Sequence, residues 1–323
     1  MVVLAISVGY LGYVGYEGSR QAVLVSDPST NCQTPMTAYG WSYEAINYPE
    51  ADDLALADLV DLEHCPRQEA TAGAAIVTPD GTRIAAWYIP GPAALGPGGT
   101  TIVMAHGHGG NKSDMLPWAA LLHDHYNLVL FDFRAHGRSS GELSTVGLRE
   151  ESDLRAVIDW VEANKEPGHL AALGVSMGGA AAAGEAAADP RVEAVILDST
   201  HATLANAMQA RLERQGYKLA LPGAWAIMLG GLLRTGEDMS SADPVQAVEH
   251  LGNRQLLIIS GGHDDAIGRD DAESLLAAAQ AGGATVELEI CAAAGHAESI
   301  SACPVEYAEW VLAFLARAIP GDR

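Results

Sequence analysis

The chain has 323 residues, 49% of them hydrophobic and 18% charged, which is enough apolar material for a large buried core and excludes a disordered chain. Its 41 Asp and Glu stand against 18 Lys and Arg, a formal net charge of −23. Such a surface repels phosphate backbones and anionic headgroups, so a nucleic-acid partner is excluded.

No residue from Val2 to Tyr16 is charged; Glu17 is the first. The run is shorter than the roughly 20 apolar residues of a spanning helix. It also lacks the basic start and small-residue cleavage site of a signal peptide. Three readings of residues 1–16 stay open: the end of a membrane anchor, an export signal, or a buried terminal element. The first two are favoured, so the expectation is a membrane-anchored or secreted protein, with membrane association through this segment. The four cysteines, Cys32, Cys65, Cys291 and Cys303, show no C-x-x-C spacing. Their even number suggests two disulfides in an exported chain. The pairs nearest in sequence are Cys32–Cys65 and Cys291–Cys303. All three pairings remain open, as do buried free thiols.

Residues 17–71 read as an irregular extension, and residues 72–323 as one domain of alternating strands and helices. Ala74–Thr78 and Ile84–Ile89 suggest a hairpin around Pro79-Asp80-Gly81. Short apolar runs predict strands at Thr101–Ala105, Asn127–Phe131, Leu170–Val175, Val192–Leu197, Gln255–Ser260 and Thr285–Ile290. Helical spacing marks Leu148–Val161, Met177–Ala187 and Pro304–Ala318. The alternation implies an α/β fold: a mostly parallel central sheet flanked by helices, with ligands beyond the carboxyl ends of the strands. Residues 203–240 interrupt it with apolar residues at helical spacing and read as a small helical cap. Its Trp225, Met228 and Leu229 are equally core packing or the lining of an apolar acyl pocket.

The chemistry-bearing residues fall where strands end. Gly174-Val175-Ser176-Met177-Gly178 lies between a strand and a small-residue helix. A serine there stands on a sharp turn with its hydroxyl clear of the backbone, and the flanking glycines let neighbouring chain come close. A serine hydroxyl needs a base. His296 stands after the last strand and offers one. The base needs an acid to fix its tautomer. Asp264 and Asp265, after strand 255–260, both qualify, with Asp198 a weaker third. An acyl-transfer site also needs oxyanion donors. The N–H of Met177 is one; His108, in the loop His106-Gly107-His108-Gly109-Gly110, supplies the second, with Gly107 as the alternative. His106-x-His108 has no third ligand at metal-site spacing, and no nucleotide, flavin or metal motif is evident, so neither cofactor nor metal is expected. The cluster Asp132 to Ser139 reads as loop bracing.

Taken together, HGHGGNK at 106–112, DFRAHGRS at 132–139, GVSMGG at 174–179, SGGHDD at 260–265 and AGH at 294–296 resemble the α/β-hydrolase superfamily over residues 72–320, among its exported or membrane-anchored esterase-like members. The segment Cys32–Tyr48 resembles extensions preceding the hydrolase domain in bacterial members. The order Ser176, Asp264, His296 is the triad order expected for this fold. Ser260-Gly261-Gly262-His263-Asp264 is similar to an H-G-x-x-D pattern, with Ser in place of the usual His, which favours Asp264 over Asp265. The expected activity is hydrolysis of a small-molecule carboxylic ester through an acyl-enzyme. Amidase, peptidase or thioesterase chemistry on the same triad is the alternative, and a catalytically silent binding protein a more distant one.

Overall fold

The computed structural model describes residues 2–25, 28–48, 75–95 and 98–319. Eight strands form one sheet in the order β1-β2-β4-β3-β5-β6-β7-β8: Glu44–Ile46, Ala86–Ile89, Thr101–Ala105, Asn127–Phe131, Leu170–Val175, Val192–Asp198, Gln255–Gly261 and Thr285–Cys291, numbered along the chain. From β4 to β8 every neighbouring pair is parallel; β1 and β2 are added antiparallel at one edge. Successive residues of a strand face opposite sides. In β3, Ile102 and Met104 pack on one face while Val103 and Ala105 pack on the other. Strands covered on both faces carry long apolar runs, as β3 to β7 do, with the charge of Glu193 confined to the start of β6.

Helices α1 to α11 are, in chain order, Val2–Val23, Pro35–Tyr39, Leu116–Leu122, Glu150–Lys165, Met177–Ala188, Leu204–Arg214, Ala220–Thr235, Pro244–Glu249, Arg269–Ala281, Ser299–Ala302 and Pro304–Ala318. One face of the sheet is covered by α4, α5 and α9, through residues such as Val157, Ala182 and Leu275. The other is covered by α3 and α11, through Leu116, Trp118, Tyr307 and Phe314. β8 ends the sheet and carries Glu287 and Glu289, charges that keep an edge strand from pairing further.

Three expectations change. The hairpin around residues 79–81 is shorter than expected, an antiparallel bridge of Val77 to Arg83 flanked by the backbone hydrogen bonds Thr78 N–H to Thr82 and Ile84 N–H to Ile76, with β2 following; Ala74 lies outside the described residues. The partners of β2 are instead β4 and β1, the latter a strand from the extension. The terminal run does not break at residue 16: α1 continues to Val23, with Glu17 and Arg20 paired within it. Its second half is docked, with Val14, Ala22 and Val23 buried. It crosses α7 closely, since a Cβ on Gly15 would stand 2.7 Å from the Ala226 carbonyl oxygen. Among the described residues no helix is long and apolar enough to cross a membrane. Cys291 and Cys303 form a disulfide. Cys32 is disulfide-bonded too; Cys65 lies outside the described residues.

Candidate active site

Ser176 occupies the turn between β5 and α5 at φ 54°, ψ −116°. A residue with a side chain held there costs about 1–3 kcal/mol, so the surroundings must impose the conformation. They do so from two sides. The Ser176 N–H donates to the Asp198 carbonyl across the sheet at 2.8 Å. Gly174 and Gly178 let α5 sit against the strands: a Cβ on Gly174 would run into the Gly178 carbonyl, and one on Gly178 into that of Ala105.

His296 follows β8. Its Nε2 lies 3.1 Å from Ser176 Oγ and its Nδ1 2.8 Å from Asp264 Oδ2. With Nδ1–H donating to the carboxylate, Nε2 keeps its lone pair toward the serine hydroxyl. The Asp264 carboxylate is fully buried, and its Oδ1 accepts the N–H groups of Ala266 and Ile267 at 2.9 and 2.8 Å. Asp265 points away: its side chain is 80% exposed and its nearest cation is Arg214, at 3.9 Å. The two loops are tied to each other, since the N–H groups of Gly262 and His263 donate to the Cys291 and Ala294 carbonyls at 2.8 Å. The Cys291–Cys303 disulfide closes the segment that carries His296.

Asp198 does not reach His296. Its carboxylate accepts from Tyr307 Oη at 2.9 Å and Ser199 Oγ at 3.1 Å, with Trp118 Nε1 at 3.3 Å. Burial raises its pKa to about 6, against the pull of those donors. Ser199 Oγ in turn accepts the N–H of Ala297, the residue after His296, at 3.0 Å. Asp198 therefore holds the histidine loop through Ser199. Sequence reading missed Ser199, Tyr307 and Trp118, because they are distant in sequence and share no motif.

The loop after β3 lies against Ser176, and a Cβ on Gly107 would touch Ser176 Cβ at 3.5 Å. It is braced by histidines. His106, buried, interacts through Nδ1 with the Gly107 carbonyl at 2.7 Å, while Nε2 accepts the Phe133 N–H at 3.1 Å. His136 Nε2 accepts the Gly109 N–H at 3.0 Å. Behind them the buried Lys112–Asp132 pair closes at 2.7 Å, and Asp132 also accepts the N–H groups of Lys112 and Arg138. His108 reaches the Ala22 carbonyl of α1 through Nε2 at 2.6 Å, and burial lowers its pKa, keeping the ring neutral. Met177 is the first residue of α5, so its N–H has no acceptor within the helix.

Two cavities, about 220 and 230 Å³, open on either side of Ser176 and share His108 and His296. Leu204, Met208 and Ile267 give the first its apolar wall. Of the two readings of Trp225, Met228 and Leu229, core packing or pocket lining, the second finds none of them at either cavity. In α7, Ala224, Ile227, Met228 and Gly231 face inward at helical spacing. That puts Trp225 and Leu229 on the opposite face, 54% and 57% exposed, while Met228 is buried but lines neither cavity.

A mostly parallel sheet with a serine on a sharp strand–helix turn, and a histidine and an acid on successive strand-end loops, is the framework of an α/β-hydrolase fold. The α/β-hydrolase fold family profile matches residues 100–285, and the chain belongs to that family. It is 34% identical to the uncharacterized protein YfhR of Escherichia coli K12 over 146 residues, 43% of this chain and 51% of that protein. It is 29% identical to the uncharacterized protein Rv2307c of Mycobacterium tuberculosis over 209 residues, 63% of this chain and 66% of that one. The matched region spans about half the length of YfhR. Among solved structures, the Pyrococcus furiosus esterase Pf2001 superposes with a TM-score of 0.68 at 20% identity, covering 90% of this chain and 97% of that one, a likeness of fold.

Proposed function

We propose that the protein is a serine hydrolase of carboxylic esters working through an acyl-enzyme. The observation that carries this reading is the unbroken chain from Asp264 to His296 to Ser176, at 2.8 and 3.1 Å. Ser176 Oγ attacks the ester carbonyl as His296 Nε2 takes its proton, and Asp264 stabilises the imidazolium. The N–H groups of Met177 and His108 hold the oxyanion, each donor of this kind being worth about 3–4 kcal/mol in the barrier. His296 then protonates the leaving alcohol, and water, activated by the same histidine, releases the acid. The two cavities flanking Ser176 suit the two halves of an ester, and their size favours short groups.

The test pairs a fluorophosphonate probe with p-nitrophenyl esters. Wild type is expected to be labelled and to hydrolyse them; Ser176→Ala should abolish labelling and lower turnover by ~10⁴–10⁶. Ester hydrolysis that survives Ser176→Ala sinks the assignment. Aminoacyl-nitroanilides run alongside distinguish amide from ester preference. We also propose residence outside the cytoplasm, supported by the disulfides. Thiol titration of protein taken directly from cells tests this: four reactive thiols without reductant would overturn it.

A further inference from the structure

The cavity between Ser176 and the cap carries charge of the sign this protein has least of. Arg211 and Arg214 lie three residues apart on α6, hence on one face, and both line the cavity together with Ser176 and His296. No Asp or Glu lines it. That is unexpected in a chain with 41 acids and 18 bases.

Elsewhere Arg134, Arg155 and Arg191 each close on a carboxylate at 2.5–2.8 Å. Among the described residues no carboxylate lies within ion-pair distance of Arg211, whose Nη2 donates to the neutral Gln21 Oε1 at 2.9 Å. Arg214 donates to the Asp265 carbonyl at 2.5 Å, and the Asp265 carboxylate, mostly in water, stays 3.9 Å away. A third group faces the same space. His201, 3% exposed, lines the cavity, and its buried Nε2 has no hydrogen-bond partner. Leaving such an atom unpaired costs about 1–3 kcal/mol, which a bound polar group would recover. Burial lowers the His201 pKa to about 4, so the ring is neutral and does not add to the positive charge.

We propose, resting on the ester-hydrolase reading above, that the substrate is an ester with a second, anionic group a few bonds from the scissile carbonyl, received by Arg211 and Arg214 with His201 beside it. The apolar wall of Leu204, Met208 and Ile267 takes the short linker between the ester and the anion. A net charge of −23 repels an anionic substrate at long range, so a local pair of guanidinium groups is what makes its entry favourable. Guanidinium forks suit carboxylate and phosphate alike.

The experiment compares three p-nitrophenyl esters of similar acyl length: butyrate, hemisuccinate and 3-phosphonopropanoate. Wild type should show kcat/KM at least tenfold higher for an anionic ester than for the butyrate, and the better anionic ester identifies the anion. Arg211→Gln with Arg214→Gln should lower that ratio at least tenfold, through KM. Arg211→Lys should keep part of it. A ratio is insensitive to the folded fraction of a variant, so a role limited to capping the end of α6 would move Tm and leave the ratio in place. Equal or better use of the butyrate by wild type, or a ratio unchanged in the double variant, overturns the anionic substrate and leaves the ester reading standing. Turnover of none of the three esters, with no fluorophosphonate labelling, instead overturns the ester reading.

Discussion

In β3, Ile102, Val103, Met104 and Ala105 are all buried, whereas in α7 Leu221, Trp225, Leu229 and Leu233 are between 51% and 79% exposed. The same kind of residue serves two purposes. In the sheet, apolar side chains sit between two helical layers and leave one consistent answer for which way each strand faces. Over the site, α6 and the end of α1 form a thin roof, backed by α7, and α1 and α7 carry apolar residues on their outer as well as their inner sides. Hence the sheet fixes Ser176, Asp264 and His296, while the roof supplies walls of the cavity beside them. Substitutions at strand ends should change chemistry with little loss of stability, and substitutions in the roof should do the reverse.

The largest separation is expected within the acid loop. Asp264→Asn leaves the shape of the loop but removes the charge that fixes the His296 tautomer, and turnover of p-nitrophenyl butyrate should fall by ~10³–10⁴. Asp265→Asn, at an exposed side chain, should stay within about threefold. Steady-state kinetics on the pair, beside their melting temperatures, decides; a larger loss at 265 would reverse the assignment of the acid.

This contrast also explains what could be read without coordinates. Ser176 stands directly after β5, Asp264 three residues after β7 and His296 five residues after β8, so position along the chain placed each of them at the carboxyl end of a strand. The roof offers no such rule. Trp225 and Leu229 read equally as core packing or pocket lining because apolarity suggests inwardness, yet helical spacing around Met228 turns them outward. Arg211, Arg214 and His201 belong to no motif and meet at the cavity only through the way α6 and the loop after β6 fold back over Ser176. The pairing of β1 with β2 was hidden for a similar reason: three residues of an irregular extension carry no period.

Next in size is the link between the two regions at the histidine loop. Replacing Cys291 and Cys303 together by Ala should destabilise the protein by about 2–4 kcal/mol. Because the bridge closes the segment bearing His296, kcat should fall with it, by about tenfold, at temperatures where the variant is still folded. Denaturant unfolding and turnover on one preparation check both; full turnover in the folded variant would show that Ser199 and the backbone ties to the acid loop position the histidine unaided.

In the roof, Gly15→Leu tests whether α1 is held by its close crossing with α7. A side chain there meets the Ala226 carbonyl, and relieving the clash should cost about 1–3 kcal/mol. Displacing α1 also withdraws the Ala22 carbonyl from His108, so KM should rise more than kcat falls. A loss confined to kcat would mean that α1 acts on the reacting groups and not on access.

The smallest effect concerns charge buried beneath the sheet, a feature α6 and α7 lack, their buried residues being uncharged. Glu151, on α4, is held at a pKa of about 7, first by burial and then by the neighbouring Glu185. Between its ordinary value of 4.5 and about 7 the folded protein binds a proton that the unfolded chain has released, so this group's contribution to stability is whole below 4.5 and is lost as pH rises through 7. The full shift corresponds to about 3 kcal/mol; with the carboxyl partly in water, about 1 kcal/mol is expected. Glu151→Gln should therefore match wild type in Tm near pH 4.5 and exceed it at pH 8. An equal Tm difference at both pH values would show that the carboxyl titrates alike in the folded and unfolded chain, and that the buried acids on this side of the sheet are as well solvated as those at the rim.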